Sequence, residues 1–242
     1  MSVVQELAEF LQAHGDEEQA VPMAAYMKNH FPFLGLKSPK RVELTRQFWK
    51  QQGLPPTEEL AQVVRELWAL PEREFQYIAV ELLQRTAKQS EARDIVLLEE
   101  LIVTKSWWDT VDALASHLVG GLFLRYPGLI PIYTKKWIRS DNMWLQRTAL
   151  LFQLGYKERT DNRLLFDLIE VCRGSKEFFI RKAIGWALRE YSKTDPEAVV
   201  RYVTNTELSP LSVREALKIV NRKQKLTERG LARELESRTM ST

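Results

Sequence analysis

Trp108 and Asp112 are the two residues whose types and spacing best suit a chemical role. Residues four apart on a helix share a face, so this indole and this carboxylate would project side by side. The indole attracts a cation through its quadrupole and the carboxylate attracts one through its charge, so the pair could stabilise a positively charged group. The structural alternative is a buried tryptophan, with Asp109 or Asp112 serving as a helix cap or a surface charge.

Conventional hydrolytic machinery is not visible in the sequence, which has no Ser-His-Asp set, glycine-rich phosphate loop or paired-carboxylate spacing. One hydrolytic reaction needs little machinery. A purine alkylated at a ring nitrogen is cationic and already a good leaving group, so no acid need protonate it. The enzyme need only stabilise the charge that develops on the sugar and admit water, and a carboxylate flanked by indoles would supply that stabilisation.

Composition, charge and cysteine content limit the kinds of site and the cellular location that this sequence can have. The 242 residues are 45% hydrophobic and carry a net charge of +3, so a nucleic-acid surface would depend on how the charges are distributed. The three histidines (His14, His30, His117) and the single Cys172 form no metal-ligand spacing, and we expect no metal and no cofactor. The N-terminus does not resemble a signal sequence, and the longest apolar stretch is too short to span a bilayer. We therefore expect a cytoplasmic protein.

Apolar residues recur at three- and four-residue spacing almost throughout, which predicts an all-α fold. We expect a first helix over 4–11 and a second over 18–30. Ser38 and Pro39 indicate the start of another helix, with Ser38 as the cap. Thr57, followed by two glutamates, indicates the next start.

A degenerate repeat organises the helices. Segments that begin with Phe75, Trp108, Trp144 and Phe178 superpose with steps of about 35 residues, and a segment at Ser212 follows without the aromatic. This period predicts a helical solenoid whose aligned helices line one concave surface.

We expect one domain over 1–242. Its parts would be N-terminal helices at about 1–56, repeats at about 57–226 and a polar tail at 227–242.

Basic and aromatic side chains alternate on the aligned helices, and this pattern is typical of nucleic-acid binding. The pattern is formed by Trp144, Arg147, Arg181, Lys182, Trp186, Arg189, Arg214 and Lys218. The alternative is a set of solvated helix faces, with the two tryptophans packed in the core. We interpret the other tryptophans as core or interface residues, namely Trp49, Trp68, Trp107 and Trp137.

Several motifs resemble those of the AlkD family of HEAT-like-repeat DNA alkylation repair glycosylases. They lie at 23–31 (MAAYMKNHF), 67–75 (LWALPEREF), 104–112 (TKSWWDTVD), 141–147 (DNMWLQR) and 175–191 (SKEFFIRKAIGWALREY). The resemblance runs from about residue 18 to residue 212. It implies a right-handed solenoid of HEAT-like repeats with a concave basic groove.

The resemblance also implies an activity, which is the removal of N3-methyladenine and N7-methylguanine from duplex DNA by a monomer, leaving an abasic site. The family is taken to do this without placing the damaged base in a pocket. By position, the catalytic carboxylate is Asp112, the flanking indoles are Trp108 and Trp186, and the phosphate-contacting arginine is Arg147. The resemblance places further residues along the DNA groove: Tyr26, Lys105, Ser106 and Arg189. The basic and aromatic pattern adds Trp144, Arg181 and Lys182 as DNA-binding residues.

Two other functions remain open from the residues alone. Helical solenoids commonly serve as protein-binding scaffolds, which would fit a groove to peptides. A protein that binds damaged DNA without chemistry would carry the same basic residues. A protein-binding scaffold should show no steep salt dependence of its affinity for DNA, whereas both DNA-binding hypotheses predict one. An activity assay would then separate an enzyme from a protein that binds DNA without chemistry.

Overall fold

Every regular element in residues 2–222, the part of the chain that the computed structural model describes, is a helix. The predicted all-α class is confirmed. The predicted polar tail at 227–242 lies outside the described residues. The chain divides into two compact units, residues 1–114 and 115–242. The expectation of one domain with the stated internal boundaries stays a prediction.

The first unit is built from seven α-helices among its described residues. They are α1 (Val3–Gln12), α2 (Glu17–Tyr26), α3 (Ser38–Gln52), α4 (Thr57–Ala69), α5 (Arg73–Thr86), α6 (Ile95–Val103) and α7 (Trp108–Ala113). Short 3₁₀ turns at Ala87–Gln89 and Ala92–Asp94 connect α5 to α6.

Local chemistry explains where these helices begin and end. Helix α1 lies where the apolar spacing predicted it, with a capping box formed by Ser2 and Gln5. Helix α2 ends at Tyr26, earlier than predicted, because Lys28 and Asn29 both adopt a left-handed φ of 58°. Ser38 as the cap of α3 was wrong. The amide of Arg41 donates to Lys37 O at 2.9 Å, so Lys37 is the cap and Ser38 is already helical.

The core of the first unit lies between the facing sides of its helices. Leu67 on α4 is fully buried, as are Phe75 and Ile78 on α5, while α1 contributes the buried Leu7 and Leu11. Each such side chain contributes about 1.5–3 kcal/mol through burial of apolar area.

The second unit continues the helical pattern. Its helices are α8 (Gly120–Arg125), α9 (Leu129–Ile138), α10 (Met143–Leu151), α11 (Asn162–Cys172), α12 (Phe178–Tyr191), α13 (Pro196–Asn205) and α14 (Pro210–Ala216). A π-helical segment, Leu114–Val119, joins α7 to α8. Phe123 packs between Trp137 and Phe152, with ring centroids 5.9 Å and 5.2 Å away, and all three are buried.

Contacts within each unit repeat with the period seen in the sequence. In the first unit, the indole Nε1 of Trp68 donates to Thr104 O, 36 residues away. In the second, the hydroxyl of Tyr156 donates to Gly120 O, also 36 residues away, and Lys182 pairs with Glu215, 33 residues away. Residues about one period apart therefore touch, as stacked helical repeats require.

The predicted burial of three tryptophans is confirmed. Trp49 and Trp68 are each 5% exposed and Trp137 is fully buried. Trp107 is half-buried, and its ring centroid lies 4.2 Å from that of His30.

Candidate functional site

Helix α7 carries the predicted pair of an indole and a carboxylate. It begins at Trp108 and includes Asp112 one turn later, so the two side chains leave the same face of the helix. Both residues are half-buried. A π-helical segment begins at Leu114, two residues after Asp112, and such segments often accompany functional sites.

Tyr26 extends the aromatic surface beside Trp108. Its ring centroid lies 6.1 Å from that of Trp108, with an interplanar angle of 79°, in an edge-to-face arrangement. Tyr26 is the last residue of α2 and is 69% exposed. Of the predicted site residues, the first unit thus brings Tyr26 and Trp108 into contact, with Asp112 on the face of α7 that carries Trp108.

A cleft of about 660 Å³ opens beside these rings, within the first unit. Its apolar lining includes Met23 from α2, along with Phe33 from the segment before α3. Lys37 and Arg41 line the cleft at the start of α3, where Arg41 is ion-paired with Glu81 at 2.6 Å, and Asp109 lines the side toward α7.

A buried ion pair that sequence reasoning missed involves Asp109, the residue that follows Trp108. The guanidinium of fully buried Arg73 donates to both carboxylate oxygens of Asp109, at 2.9 Å and 2.6 Å. The hydroxyl of Tyr77 donates to the same carboxylate at 2.7 Å. Burial and the charge of Asp109 raise the pKa of Tyr77 well above its usual value, so the phenol stays protonated and can donate. Interpreting Asp109 as a cap or surface charge was wrong, because its side chain is 6% exposed and salt-bridged.

Lys105 and Ser106 are predicted to line a DNA groove. In the structure both side chains donate hydrogen bonds to backbone carbonyls of the first unit. The ammonium of Lys105 donates to the carbonyls of Ala69 and Leu70 at the end of α4. Burial and the nearby positive charge of Arg73 lower the pKa of Lys105. The hydroxyl of Ser106 donates to Ile102 O at 2.6 Å. Their contact with DNA stays a prediction.

Arg147 and Trp144, both on α10, meet Phe179 in the second unit. Arg147 is 4% exposed and donates from Nη1 to Phe179 O at 2.6 Å. The indole of Trp144 lies 5.1 Å from the Phe179 ring, measured between centroids. The side chain of Asn142 caps α10 by accepting from the amides of Trp144 and Leu145. The predicted phosphate contact of Arg147 is not tested by this geometry.

Helix α12 carries the predicted basic residues of the second unit. Lys182 and Arg189 both bind the carboxylate of Glu215 on α14, at 3.1 Å and 2.7 Å. Arg181 donates from Nε to Ser175 O at 2.8 Å, and Trp186 is half-buried. Sequence reasoning missed Glu215, although it lies about one repeat period, 33 residues, after its partner Lys182.

The pKa of Glu215 reflects two opposing effects. Burial alone would raise it, but the hydrogen bond and positive charge of Lys182, with Arg189 and Lys218, lower it below its usual value. Glu215 is therefore a carboxylate that holds two of the predicted DNA-binding side chains in place.

The family of DNA alkylation repair enzymes matches residues 7–220 of this sequence, nearly all of the described chain. The chain belongs to that family. A predicted DNA alkylation repair enzyme from Enterococcus faecalis is 36% identical, with 84% of this chain and 95% of that chain covered and a TM-score of 0.79. No curated protein matches the chain.

Two further solved structures share the fold of this DNA alkylation repair family member. The protein smu.31 from Streptococcus mutans UA159 is 16% identical with a TM-score of 0.59, covering 90% of this chain and 96% of that one. AlkD2 from Streptococcus mutans is 17% identical with a TM-score of 0.56, covering 75% of this chain and 87% of that one. At these identities the likeness concerns the fold alone.

Within residues 2–222, no group of three or more His, Cys, Asp or Glu side chains is arranged to hold a metal ion. In the same part of the chain, none of the helices has both the length and the apolar character needed to cross a membrane.

Proposed function

We propose that this member of the DNA alkylation repair family is a DNA glycosylase that hydrolyses the N-glycosidic bond of cationic alkylated purines in duplex DNA. The single observation that carries the proposal is the placement of Trp108 and Asp112 on one face of α7. Both are half-buried, and the exposed ring of Tyr26 extends the aromatic surface. Such a surface beside a carboxylate suits a transition state whose sugar becomes positively charged.

The reaction follows from the charge of the substrate. When the bond between the sugar C1′ and the ring nitrogen breaks, its electron pair leaves with the base and neutralises the base's formal positive charge. The sugar is left oxocarbenium-like, and the carboxylate of Asp112 stabilises it while the indole of Trp108 presents its electron-rich face. A water molecule oriented by Asp112 bonds to C1′ and releases a proton to the bulk solvent. The products are free alkylpurine and an abasic site.

Cationic substrates also explain why so few groups are needed. N3-methyladenine and N7-methylguanine carry the charge that a general acid would otherwise have to supply by protonation. The proposed activity therefore requires neither metal nor cofactor, and we propose that the protein acts as a monomer in the cytoplasm.

The second unit supplies the proposed contacts with the DNA backbone. We assign phosphate contact to Arg147, with Trp186 as the second indole at the sugar. The α12 side chains Arg181, Lys182 and Arg189, together with Trp144, are assigned to the DNA surface, as are Lys105 and Ser106 of the first unit. Binding through phosphates releases counterions, so affinity should fall steeply with salt.

The test is release of free base from duplex DNA that carries N7-methylguanine, with enzyme in excess over DNA. The same duplex without the lesion is the control. We expect wild-type protein to release the alkylated base and leave an alkali-labile abasic site. Salt-sensitive binding without release would indicate a protein that binds damaged DNA without chemistry. Salt-insensitive binding would indicate a protein-binding scaffold and would contradict the proposal.

A further inference from the structure

Two adjacent residues at the start of α5, Arg73 and Glu74, are both fully buried and hold different segments of the first unit. Arg73 binds the turn that leads into α7, and Glu74 binds the segment that leads from α2 to α3. Charged side chains are rarely buried this completely unless each is fully paired. This pairing connects the elements that carry Trp108 and Tyr26.

The hydrogen bonds of Arg73 hold the first turn of α7 in place. Besides its two bonds to Asp109, the guanidinium donates from Nη1 to Lys105 O and from Nη2 to the hydroxyl of Thr110, each at 2.9 Å. The guanidinium also lies over the ring of Phe31, with Cζ 3.8 Å from the ring centroid. Lys105, Asp109 and Thr110 surround Trp108 in the chain, so these contacts restrict where its backbone can lie.

The hydrogen bonds of Glu74 hold the segment that follows α2 in place. Its carboxylate accepts the amides of Leu34, Gly35 and Leu36, each at 3.0 Å. The amide of Arg73 also donates to Pro32 O at 2.9 Å. This segment follows the helix that ends at Tyr26.

Gly35 shows how closely that segment meets the start of α2. It has a φ of 85°, and a Cβ there would lie 1.9 Å from Asp16 O, the backbone oxygen of the residue that caps α2. The contacts made by α5 therefore reach the segment that packs against the start of α2, the helix that ends at Tyr26.

We propose that Asp109, held by Arg73 and Tyr77, is a positioning residue that sets Trp108 and Asp112 for base excision. The inference rests on the proposed function, which assigns catalytic roles to Trp108 and Asp112. Asp109 does not touch substrate in this account; it acts through the first turn of α7. A displacement of about 1 Å at a reacting centre can lower a rate by about 100-fold, so a loosened turn should slow excision more than it weakens DNA binding.

Tyr77→Phe is the sharpest variant, because it removes one hydrogen bond to Asp109 and keeps the ring and the ion pair. Tyr156→Phe is the matched control. It likewise removes a tyrosine hydroxyl that donates to one acceptor, Gly120 O at 2.8 Å, but it does so within the second unit. Tyr156 is buried, whereas Tyr77 is half-buried. Asp109→Asn, which keeps the side-chain shape and removes the charge, provides a second variant.

Three measurements are made on each full-length variant: the single-turnover rate of N7-methylguanine release, the Kd for the methylated duplex, and the thermal midpoint. A fourth is the fluorine NMR resonance of Trp108 in protein labelled with 5-fluorotryptophan, assigned by its loss in Trp108→Phe. We expect Tyr77→Phe to lower the excision rate about 10-fold, with Kd changed by less than about threefold, and to shift the Trp108 resonance. Asp109→Asn should have the larger effect on both rate and resonance.

Equal losses of excision in Tyr77→Phe and Tyr156→Phe would overturn the inference, because they would reflect stability alone. An unmoved Trp108 resonance in both Tyr77→Phe and Asp109→Asn would also overturn it. If wild-type protein released no base, the proposed function would fail. The resonance would then still show whether Asp109 sets the position of Trp108, so the two failures are distinguishable.

Discussion

The ring of Tyr26 stands edge-on to the indole of Trp108, with centroids 6.1 Å apart and planes at 79°. One ring ends α2 and the other begins α7, so two helices distant in sequence form one aromatic surface. Asp112 leaves α7 one turn further on. Under the proposed function, this surface and this carboxylate act together on the developing positive charge of the sugar.

Replacement of Trp108 should show how much its indole contributes to the rate of base excision. Trp108→Ala removes a cation–π interaction of about 0.5–2 kcal/mol, so we expect the single-turnover excision rate to fall about 10-fold. Trp108→Phe keeps a smaller quadrupole and should fall between wild type and Trp108→Ala. An excision rate in Trp108→Ala equal to that of wild type would show that the indole does not contact the sugar.

The Glu215 cluster predicts a pH-dependent difference in stability. Since Lys182 and Arg189 lower the pKa of Glu215 in the folded state, its contribution is present above the ordinary value of 4.5 and is lost as the pH falls through the lower folded value. Glu215→Gln should cost about 1 kcal/mol of unfolding free energy at neutral pH, measured by denaturant titration. That cost should shrink as the pH falls below the ordinary value of 4.5.

The matched control for this cluster is Glu197→Gln. Glu197 is 86% exposed at its side chain and lies 3.6 Å from Arg201, and exposed pairs of this kind contribute little. We expect almost no change at any pH. A Glu215→Gln difference that stayed constant between neutral and acidic pH would contradict the assigned ion pairs.

At Gly185, α12 packs closely against α14. A Cβ there would lie 2.6 Å from the Cβ of Glu215 and 2.9 Å from Ser212 O. Gly185→Ala should therefore lower the free energy of unfolding by about 1–3 kcal/mol, through overpacking. Gly121→Ala is the control, since no atom lies within 4 Å of its added Cβ and it sits within α8. It should be neutral or slightly stabilising, and equal effects of the two changes would contradict this packing.

Much of the fold could be predicted because apolar spacing and capping residues act locally. Helix α1 follows from four apolar residues, and α4 begins at Thr57 as expected. The end of α2 could not be predicted, because Lys28 and Asn29 adopt left-handed conformations that their residue types do not require.

Only part of the candidate site could be predicted from the sequence, because some of its contacts join residues that are distant in the chain. Trp108 and Asp112 could be paired from helical spacing, which is a local property. The ion pair of Asp109 could not be predicted, because its partner Arg73 precedes it by 36 residues and is brought near only when helices stack. Glu215 and Lys182 meet in the same way across 33 residues. Opposite charges one period apart are the signal that could have identified both pairs.

The most direct test of the central claim is the single-turnover rate of N7-methylguanine release by Asp112→Asn beside wild type, with Asp167→Asn, an exposed change on α11, as the matched control. We predict that Asp112→Asn lowers the rate by at least about 100-fold while the Kd for methylated duplex changes little, and that Asp167→Asn behaves as wild type. Near-wild-type release by Asp112→Asn would contradict the role of Asp112, and no release by wild type would contradict the proposed activity itself.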